Sequence, residues 1–167
     1  MMQAFDTRFD PAALQIRPAV VADAPQLARL RYRFRSELGA PNESEAAFVG
    51  RATEWLHSRL DQASWRAWVA VDTEDQIVGH AFVQFVEKIP NPVVEAEHIA
   101  YLTNVYVLPP LRNAGLGTRL MQAALEECQA MGVDSAILWP SEQSQSLYRR
   151  FGFATPQAVL ERSFGAE

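Results

Sequence analysis

The chain has 167 residues, the length of one ordinary domain, and its composition of 49% hydrophobic and 21% charged residues excludes a disordered protein. Such a chain can bury a sizeable core without disulfides or a structural metal. The net charge of -5 at pH 7 argues against a nucleic-acid-binding protein, which needs a dense basic face, and weakly favours a cationic ligand.

The cysteine content and the N-terminal segment bear on cellular location. Cys128 is the only cysteine, so no intramolecular disulfide can form. The segment MMQAFDTRFD has no basic stretch followed by an apolar core, and the chain has no run of about 18 apolar residues. Neither a signal peptide nor a membrane span is predicted, and we expect a cytoplasmic protein with no membrane partner.

The beginning of the chain predicts a short strand followed by a helix. Residues 1–13 lack periodicity and are predicted to be a loose lead-in to a single domain over residues 14–164. A strand is predicted over residues 14–17, before Pro18. An amphipathic helix is predicted from Asp23 because apolar residues then recur at helical spacing. These residues are Leu27, Leu30, Phe34 and Leu38.

A second helix and a hairpin follow. Asn42 and Glu45 form a capping-box pattern, and the apolar spacing after them predicts a helix that continues to Leu60. Residues 65–72 and 77–87 are apolar and β-branched runs joined by a short polar segment. This pattern predicts two antiparallel strands.

The second half of the chain predicts a strand, a helix and a parallel strand. The longest predicted strand, residues 98–108, leads into a glycine-rich turn at residues 112–117, and an amphipathic helix follows. Residues 134–139 are predicted to form a strand parallel to the first, as in a βαβ unit. A short helix ending near Phe151 and a last strand over residues 159–164 complete the predicted α/β fold.

The turn at residues 112–117 has the features of a phosphate-binding site. Gly115 and Gly117 carry no Cβ, so an anion can approach the unpaired N–H groups at the positive end of the helix dipole. Arg112 adds a cation. A threonine and an arginine follow Gly117, which does not fit the Walker pattern, and Asn113 stands where a dinucleotide fingerprint needs glycine. The turn alone leaves the identity of the anion open.

Two motifs together resemble those of the GNAT acyltransferase superfamily. One is R/Q-x-x-G-x-G/A at residues 112–117, after a strand that ends with Val105, Val107 and Pro109; the other is LYRRFGF at residues 147–153. The resemblance implies a mixed α+β fold. Its central sheet is mostly antiparallel, with a splayed parallel strand pair and flanking helices.

The same resemblance implies an acetyl-CoA-dependent N-acetyltransferase that uses no metal. The acceptor would be a primary amine of a small molecule or peptide, attacking the thioester directly in a ternary complex, with Tyr148 as the general acid. A splayed strand would bind the pantetheine arm and the loop would bind the pyrophosphate. The implied cofactor-binding residues are Val105, Tyr106, Val107, Arg112, Asn113, Ala114, Gly115, Leu116, Gly117, Thr118, Ser141 and Ser144.

The general base and the acceptor are not assigned by these motifs. Some relatives carry a carboxylate base where this chain has Tyr101, so Glu97 acting through water, or a water chain near Tyr101, is the alternative. Many relatives carry asparagine where this chain has Ser141. The resemblance also implies a homodimer. A non-catalytic acyl-CoA-binding or partner-binding module is the alternative function.

Several other polar residues receive no catalytic role. His57, His80 and His98 lack metal-ligand spacing with one another or with Cys128, so no metal site is predicted. Cys128 lies on an apolar helix stripe and is predicted to be a core residue, which favours direct transfer. Four arginines of the first helix are interpreted as a solvated face, with the lining of an acceptor pocket as the alternative. They are Arg29, Arg31, Arg33 and Arg35.

Overall fold

The fold was analysed in a computed structural model, which describes residues 13–62, 64–156 and 159–164. Its strands and α-helices follow the predicted order as far as the short fourth helix. In chain order they are β1 (Gln15–Pro18), α1 (Ala24–Ser36), α2 (Glu45–Leu60), β2 (Trp65–Val71), β3 (Ile77–Glu87), β4 (His98–Val107), α3 (Leu116–Ala130), β5 (Ala136–Ile137) and α4 (Gln145–Arg150).

The strands form one sheet in the order β1-β2-β3-β4-β5. The first four are antiparallel, and β5 pairs parallel to β4 after the α3 crossover, which confirms the predicted hairpin and βαβ unit. Only Ala100 with Ala136 and Tyr101 with Ile137 pair between β4 and β5. The strand predicted over residues 134–139 is therefore much shorter than expected, because β4 and β5 part after two residues.

Each face of the sheet has its own hydrophobic cluster. Successive side chains of a strand point to opposite faces, so Trp68 and Ala70 of β2 pack with α3, whereas Val69 packs with α1 and α2. Leu120 of α3 and Leu27 of α1 are almost completely buried in these two clusters. The sheet thus carries α3 on one face and the α1–α2 pair on the other.

Two local predictions are wrong. The second helix is capped by Ser44, whose Oγ accepts a hydrogen bond from the Ala47 N–H at 3.3 Å, and not by Asn42. Both residue types can cap, but only Ser44 directly precedes the first helical residue. Residues 159–164 form no strand, and Leu160 and Phe164 are 96% and 84% exposed. A strand requires a partner backbone, and no strand of the described residues pairs with this segment. Of the predicted lead-in, residues 1–12 lie outside the described residues.

Among the described residues, no helix combines the length and the apolarity needed to cross a bilayer. In the same ranges, no group of three or more histidine, cysteine, aspartate or glutamate side chains is arranged to hold a metal ion.

A partly buried ion pair connects β1 to the start of α1. Arg17 donates from Nη1 to Asp23 Oδ2 at 2.7 Å and from Nη2 to Oδ1 at 3.0 Å, and the Val20 N–H donates to Asp23 Oδ2 at 2.8 Å. Burial acts to raise the pKa of Asp23, but these hydrogen bonds outweigh it and hold the pKa below its usual value. The Asp23 side chain is only 7% exposed, so the pair is little screened by solvent.

We expect Asp23→Asn to lower the free energy of unfolding by about 1.5 to 3 kcal/mol at pH 7, because it removes a charge-assisted pair and leaves Arg17 without its main partner. A carboxylate with a depressed folded pKa stabilises the protein above its unfolded pKa of about 3.9, and that stabilisation is lost as pH falls through the folded pKa. Urea denaturation should therefore show the wild-type and variant curves converging below about pH 4. Asp61→Asn, an exposed carboxylate, serves as the control. A difference that does not change with pH contradicts this account.

Candidate active site

β4 carries a bulge just beyond the point where its pairing with β5 ends. Asn104 and Val105 stand opposite the single residue Ala81 of β3, and Asn104 has a φ of 54°, a left-handed conformation that asparagine tolerates better than most residues. Pairing with β5 has already ended at Tyr101. Beyond Tyr101, the edge of β4 that faces β5 has no ladder partner within the described residues.

A buried histidine supports the bulge. His80 of β3 is completely buried, and its Nδ1 lies 2.7 Å from the carbonyl oxygen of Asn104, so Nδ1 carries the proton and donates it. Burial lowers the pKa of His80 to about 4, and the ring is neutral at pH 7. Its Nε2 has no hydrogen-bond partner among the described residues. His80 is therefore uncharged, and it stabilises the bulge through its hydrogen bond to Asn104.

The glycine-rich loop has the geometry that an anion site requires. Gly115 has a φ of 79° and occupies the N-cap position of α3 without any side-chain cap, and Asn113 has a φ of 64°. The N–H groups of residues 113–118 have no hydrogen-bond partner among the described residues. A Cβ added at Gly115 would meet no atom within 4 Å, so open space lies next to these donors. The loop fits a phosphate group.

Arg112 braces the junction between β4 and the loop. Its Nε donates to the Val107 carbonyl oxygen at 2.9 Å, and Nη2 donates to Glu37 Oε2 at 2.7 Å. Tyr106 donates its hydroxyl to Glu37 Oε1 at 2.6 Å, and its pKa is raised to about 12, chiefly by burial and by this bond. The carboxylate of Glu37 therefore neutralises part of the positive charge of Arg112, which the sequence analysis had expected to act on the phosphate. No sequence signal indicated Glu37, which lies 75 residues from Arg112.

The two sequence motifs meet in space. Leu147 of α4 comes within 3.6 Å of the position that a Cβ on Gly117 would occupy, so α4 lies against the first turn of α3. Tyr148 is 9% exposed in the α3 cluster, with its ring centroid 6.0 Å from that of Phe153. Burial raises the pKa of Tyr148, although the Ser144 hydroxyl acts in the opposite direction. The structure thus brings the predicted acid close to the predicted phosphate loop.

Ser141 and Ser144 lie together just before α4. Their hydroxyl oxygens are 2.9 Å apart, and the Ser144 hydroxyl also donates to the Ser141 carbonyl oxygen at 3.0 Å. Ser141 is exposed and Ser144 half-buried. Both hydroxyls are therefore at the surface beside the proposed acid, where a ligand can reach them.

A cavity of about 390 Å³ opens between α1, α2 and the sheet. Most of its wall is apolar or aromatic, and Arg31, Tyr101, Thr103 and Asn104 contribute polar groups. Of the two residues considered for the base, Tyr101 lines this cavity and Glu97 does not. The cavity therefore meets β4 at the bulge, next to the edge that β5 leaves free.

Comparison with known proteins identifies the family. Residues 27–153 match the model of the Acetyltransferase (GNAT) family. The chain belongs to the GNAT acetyltransferase family. The matched range begins in α1 and ends just beyond α4, so this GNAT domain includes the cavity, the glycine-rich loop and both sequence motifs.

Individual relatives agree with this assignment. The chain is 30% identical over 160 residues to phosphinothricin N-acetyltransferase of Streptomyces coelicolor, covering 92% of this chain and 91% of the relative. A GCN5-related N-acetyltransferase from Ralstonia eutropha has a similar structure, with a TM-score of 0.73 and 27% identity over 91% of this chain and 99% of that one. The fold is also similar to that of a predicted acetyltransferase from Clostridium acetobutylicum, solved with acetyl-CoA, with a TM-score of 0.74 at 20% identity over 90% of this chain and 96% of that one.

These findings confirm the predicted superfamily, the mixed α+β GNAT fold and the enzyme class, an acyl-CoA-dependent N-acetyltransferase. The roles of individual residues remain predictions.

Proposed function

We propose that this enzyme transfers the acetyl group of acetyl-CoA to the primary amine of a small molecule or peptide, by direct attack in a ternary complex. The observation that carries the proposal is the position of β4. Thr103 and Asn104 line the cavity, and the same strand then runs into the glycine-rich loop. An acceptor in the cavity and a cofactor on the loop would therefore meet along the free edge of β4.

The cofactor contacts follow from this arrangement. The backbone of residues 105–107 would bind the pantetheine arm, since β5 leaves that edge free. The N–H groups of residues 113–118 would bind the pyrophosphate, and Ser141 with Ser144 would contact the pantetheine amide. Arg112 would hold the loop in place through its bonds to Val107 and Glu37.

The proposed chemistry needs one acid and one proton acceptor. The amine nitrogen attacks the thioester carbonyl carbon, the new C–N bond forms and the C–S bond breaks. Tyr148 gives its hydroxyl proton to the departing thiolate, and a backbone N–H near Val105 or Tyr106 stabilises the oxyanion. The surplus proton of the amine leaves through a water chain that passes Tyr101. Glu97, outside the cavity wall, is the less suitable base.

Cys128 supports direct transfer and not a covalent acyl-enzyme. It is 4% exposed in the α3 cluster, and burial raises its pKa to about 11. A thiol that stays protonated and inaccessible is a poor nucleophile at neutral pH.

Phosphinothricin is the first acceptor to test, because the Streptomyces coelicolor relative is named for its acetylation. We also propose a homodimer of a single domain over residues 14–164, as the family resemblance implies, and a cytoplasmic location.

The proposal predicts amine-dependent release of the CoA thiol from acetyl-CoA. With phosphinothricin and a panel of amino acids and simple amines, at least one acceptor should raise thiol release above background hydrolysis. Varying both substrates should give intersecting double-reciprocal lines, as expected for a ternary complex. Parallel lines would reject direct transfer. CoA binding without turnover of any amine would favour the non-catalytic binding module.

A further inference from the structure

We propose that the cavity selects acceptors that carry an anionic group beside the amine, and that Arg31 is the residue that binds this group. The inference rests on the proposed function and specifies its substrate class. Amino acids and aminophosphinates or aminophosphonates have this chemistry.

Arg31 has no anionic partner among the described residues. It is half-buried on α1, and its Nη1 donates to Asn104 Oδ1 at 2.8 Å, while its Cζ lies 5.6 Å from the centroid of the Phe34 ring. No carboxylate of the described residues forms an ion pair with it. The charged or titratable groups that act on it are Arg35, a like charge, and Tyr101. Burial lowers its pKa, yet an arginine remains charged at neutral pH.

Several other arginines of the fold form ion pairs with carboxylates. Arg17 pairs with Asp23 and Arg112 with Glu37. Arg51, the second arginine at the cavity, is 66% exposed and paired with Glu43. The described residues place no counterion beside Arg31, and a half-buried cation without one is costly. An anionic ligand in the cavity can supply the missing negative charge.

The guanidinium is held in place before any ligand binds. His80 holds the Asn104 carbonyl at 2.7 Å, the bulge fixes the Asn104 backbone, and the Asn104 side chain holds one N–H of Arg31. A guanidinium has five N–H donors, so four remain, enough for a bidentate contact with a carboxylate or phosphinate. Trp55, Trp65 and Phe82 supply apolar wall for the rest of the acceptor.

The test compares Arg31→Met with Arg29→Met, an exposed arginine on the same helix that does not line the cavity. Each protein is assayed with leucine, with leucinamide, which lacks the carboxylate, and with phosphinothricin. We expect Arg31→Met to lower kcat/KM for the two anionic acceptors by about 10- to 100-fold, mainly through KM, because it removes charge-assisted hydrogen bonds. For leucinamide, and for the KM of acetyl-CoA, the change should stay within about 2-fold, and Arg29→Met should match the wild type.

The amines of leucine and leucinamide differ in basicity. This difference cancels when the kcat/KM of each acceptor is expressed as a ratio between wild type and variant. Arg31→Lys keeps the charge without the planar fork and should fall between wild type and Arg31→Met; it also provides a folded variant if Arg31→Met does not fold. Equal losses for leucine and leucinamide, or no loss for either, would overturn the inference while leaving the acetyltransferase proposal intact.

If no amine is acetylated, the proposed function fails, and calorimetric titration of leucine and phosphinothricin into the CoA-bound protein still tests Arg31. Binding that Arg31→Met weakens by about 10-fold or more supports the anion site. Equal binding to both proteins, or none to either, overturns it.

Discussion

Tyr148→Phe is expected to lower kcat by about 100- to 10,000-fold, the range that a positioned general acid contributes. The thiolate of CoA must be protonated as it leaves, and phenylalanine has no proton to give. Burial raises the pKa of Tyr148, so its hydroxyl stays protonated over the working pH range. The ring and its packing against Phe153 are kept in the variant, so the loop and the CoA site should not change.

The measurements are steady-state thiol release and the Kd of CoA by calorimetry. The Kd should change by no more than about 2-fold, since the hydroxyl acts mainly in the transition state. Tyr32→Phe is a matched control, because its hydroxyl makes only a 3.4 Å contact with the Glu43 carbonyl oxygen. An unchanged kcat, or losses of equal size in turnover and CoA affinity, would remove Tyr148 from the role of acid.

Gly115→Ala is expected to weaken CoA binding by about 10- to 100-fold, because it disturbs several charge-assisted bonds from the loop. Gly115 has a φ of 79°, a conformation that costs an L-residue about 1 to 2 kcal/mol, so the loop must strain or move. The added Cβ would also enter the open space beside the free N–H groups.

Gly132→Ala is the control that separates a loss of stability, caused by backbone strain, from a loss of CoA affinity. Gly132 lies just beyond the other end of α3, has a φ of 65°, and also has open space around its missing Cβ. Both variants should lose about 1 to 2 kcal/mol in urea denaturation, but only Gly115→Ala should lose CoA affinity in calorimetric titration. The same Kd in both variants would rule out the loop as the phosphate site.

Features with short-range causes were predictable from the sequence. The hairpin follows from β-branched runs around a polar turn, and the βαβ unit follows from one strand, one apolar helix stripe and a second strand. Gly115 indicated a strained, anion-accessible turn because only glycine adopts that backbone readily. The family motifs lie within residues 99–153, where the chain order already brings strand, loop and helices together.

Predictions that depended on a distant partner were wrong or incomplete. Residues 159–164 have strand-forming side chains, but whether they pair depends on a free sheet edge elsewhere in the fold, and none of the described strands pairs with them. The ion pair between Arg112 and Glu37 joins residues that are 75 positions apart, and no local sequence pattern predicts it. Asparagine and serine are both residue types that cap helices, so the sequence could not choose between Asn42 and Ser44. The choice depends on where the helical backbone begins, which is directly after Ser44.

The sequence alone indicated the family and the order of elements, and it predicted a phosphate-binding loop, because each depends on residues that are neighbours along the chain. Only the tertiary structure distinguished Arg31 from the other arginines of α1, by placing it in the cavity with Asn104, 73 residues away. The net charge of -5 favoured a cationic ligand, whereas the cavity contains a cation, Arg31, that no carboxylate of the described residues pairs with. A charged ligand interacts most strongly with the nearest and least screened charge of the protein, and the tertiary structure determines which residue carries that charge.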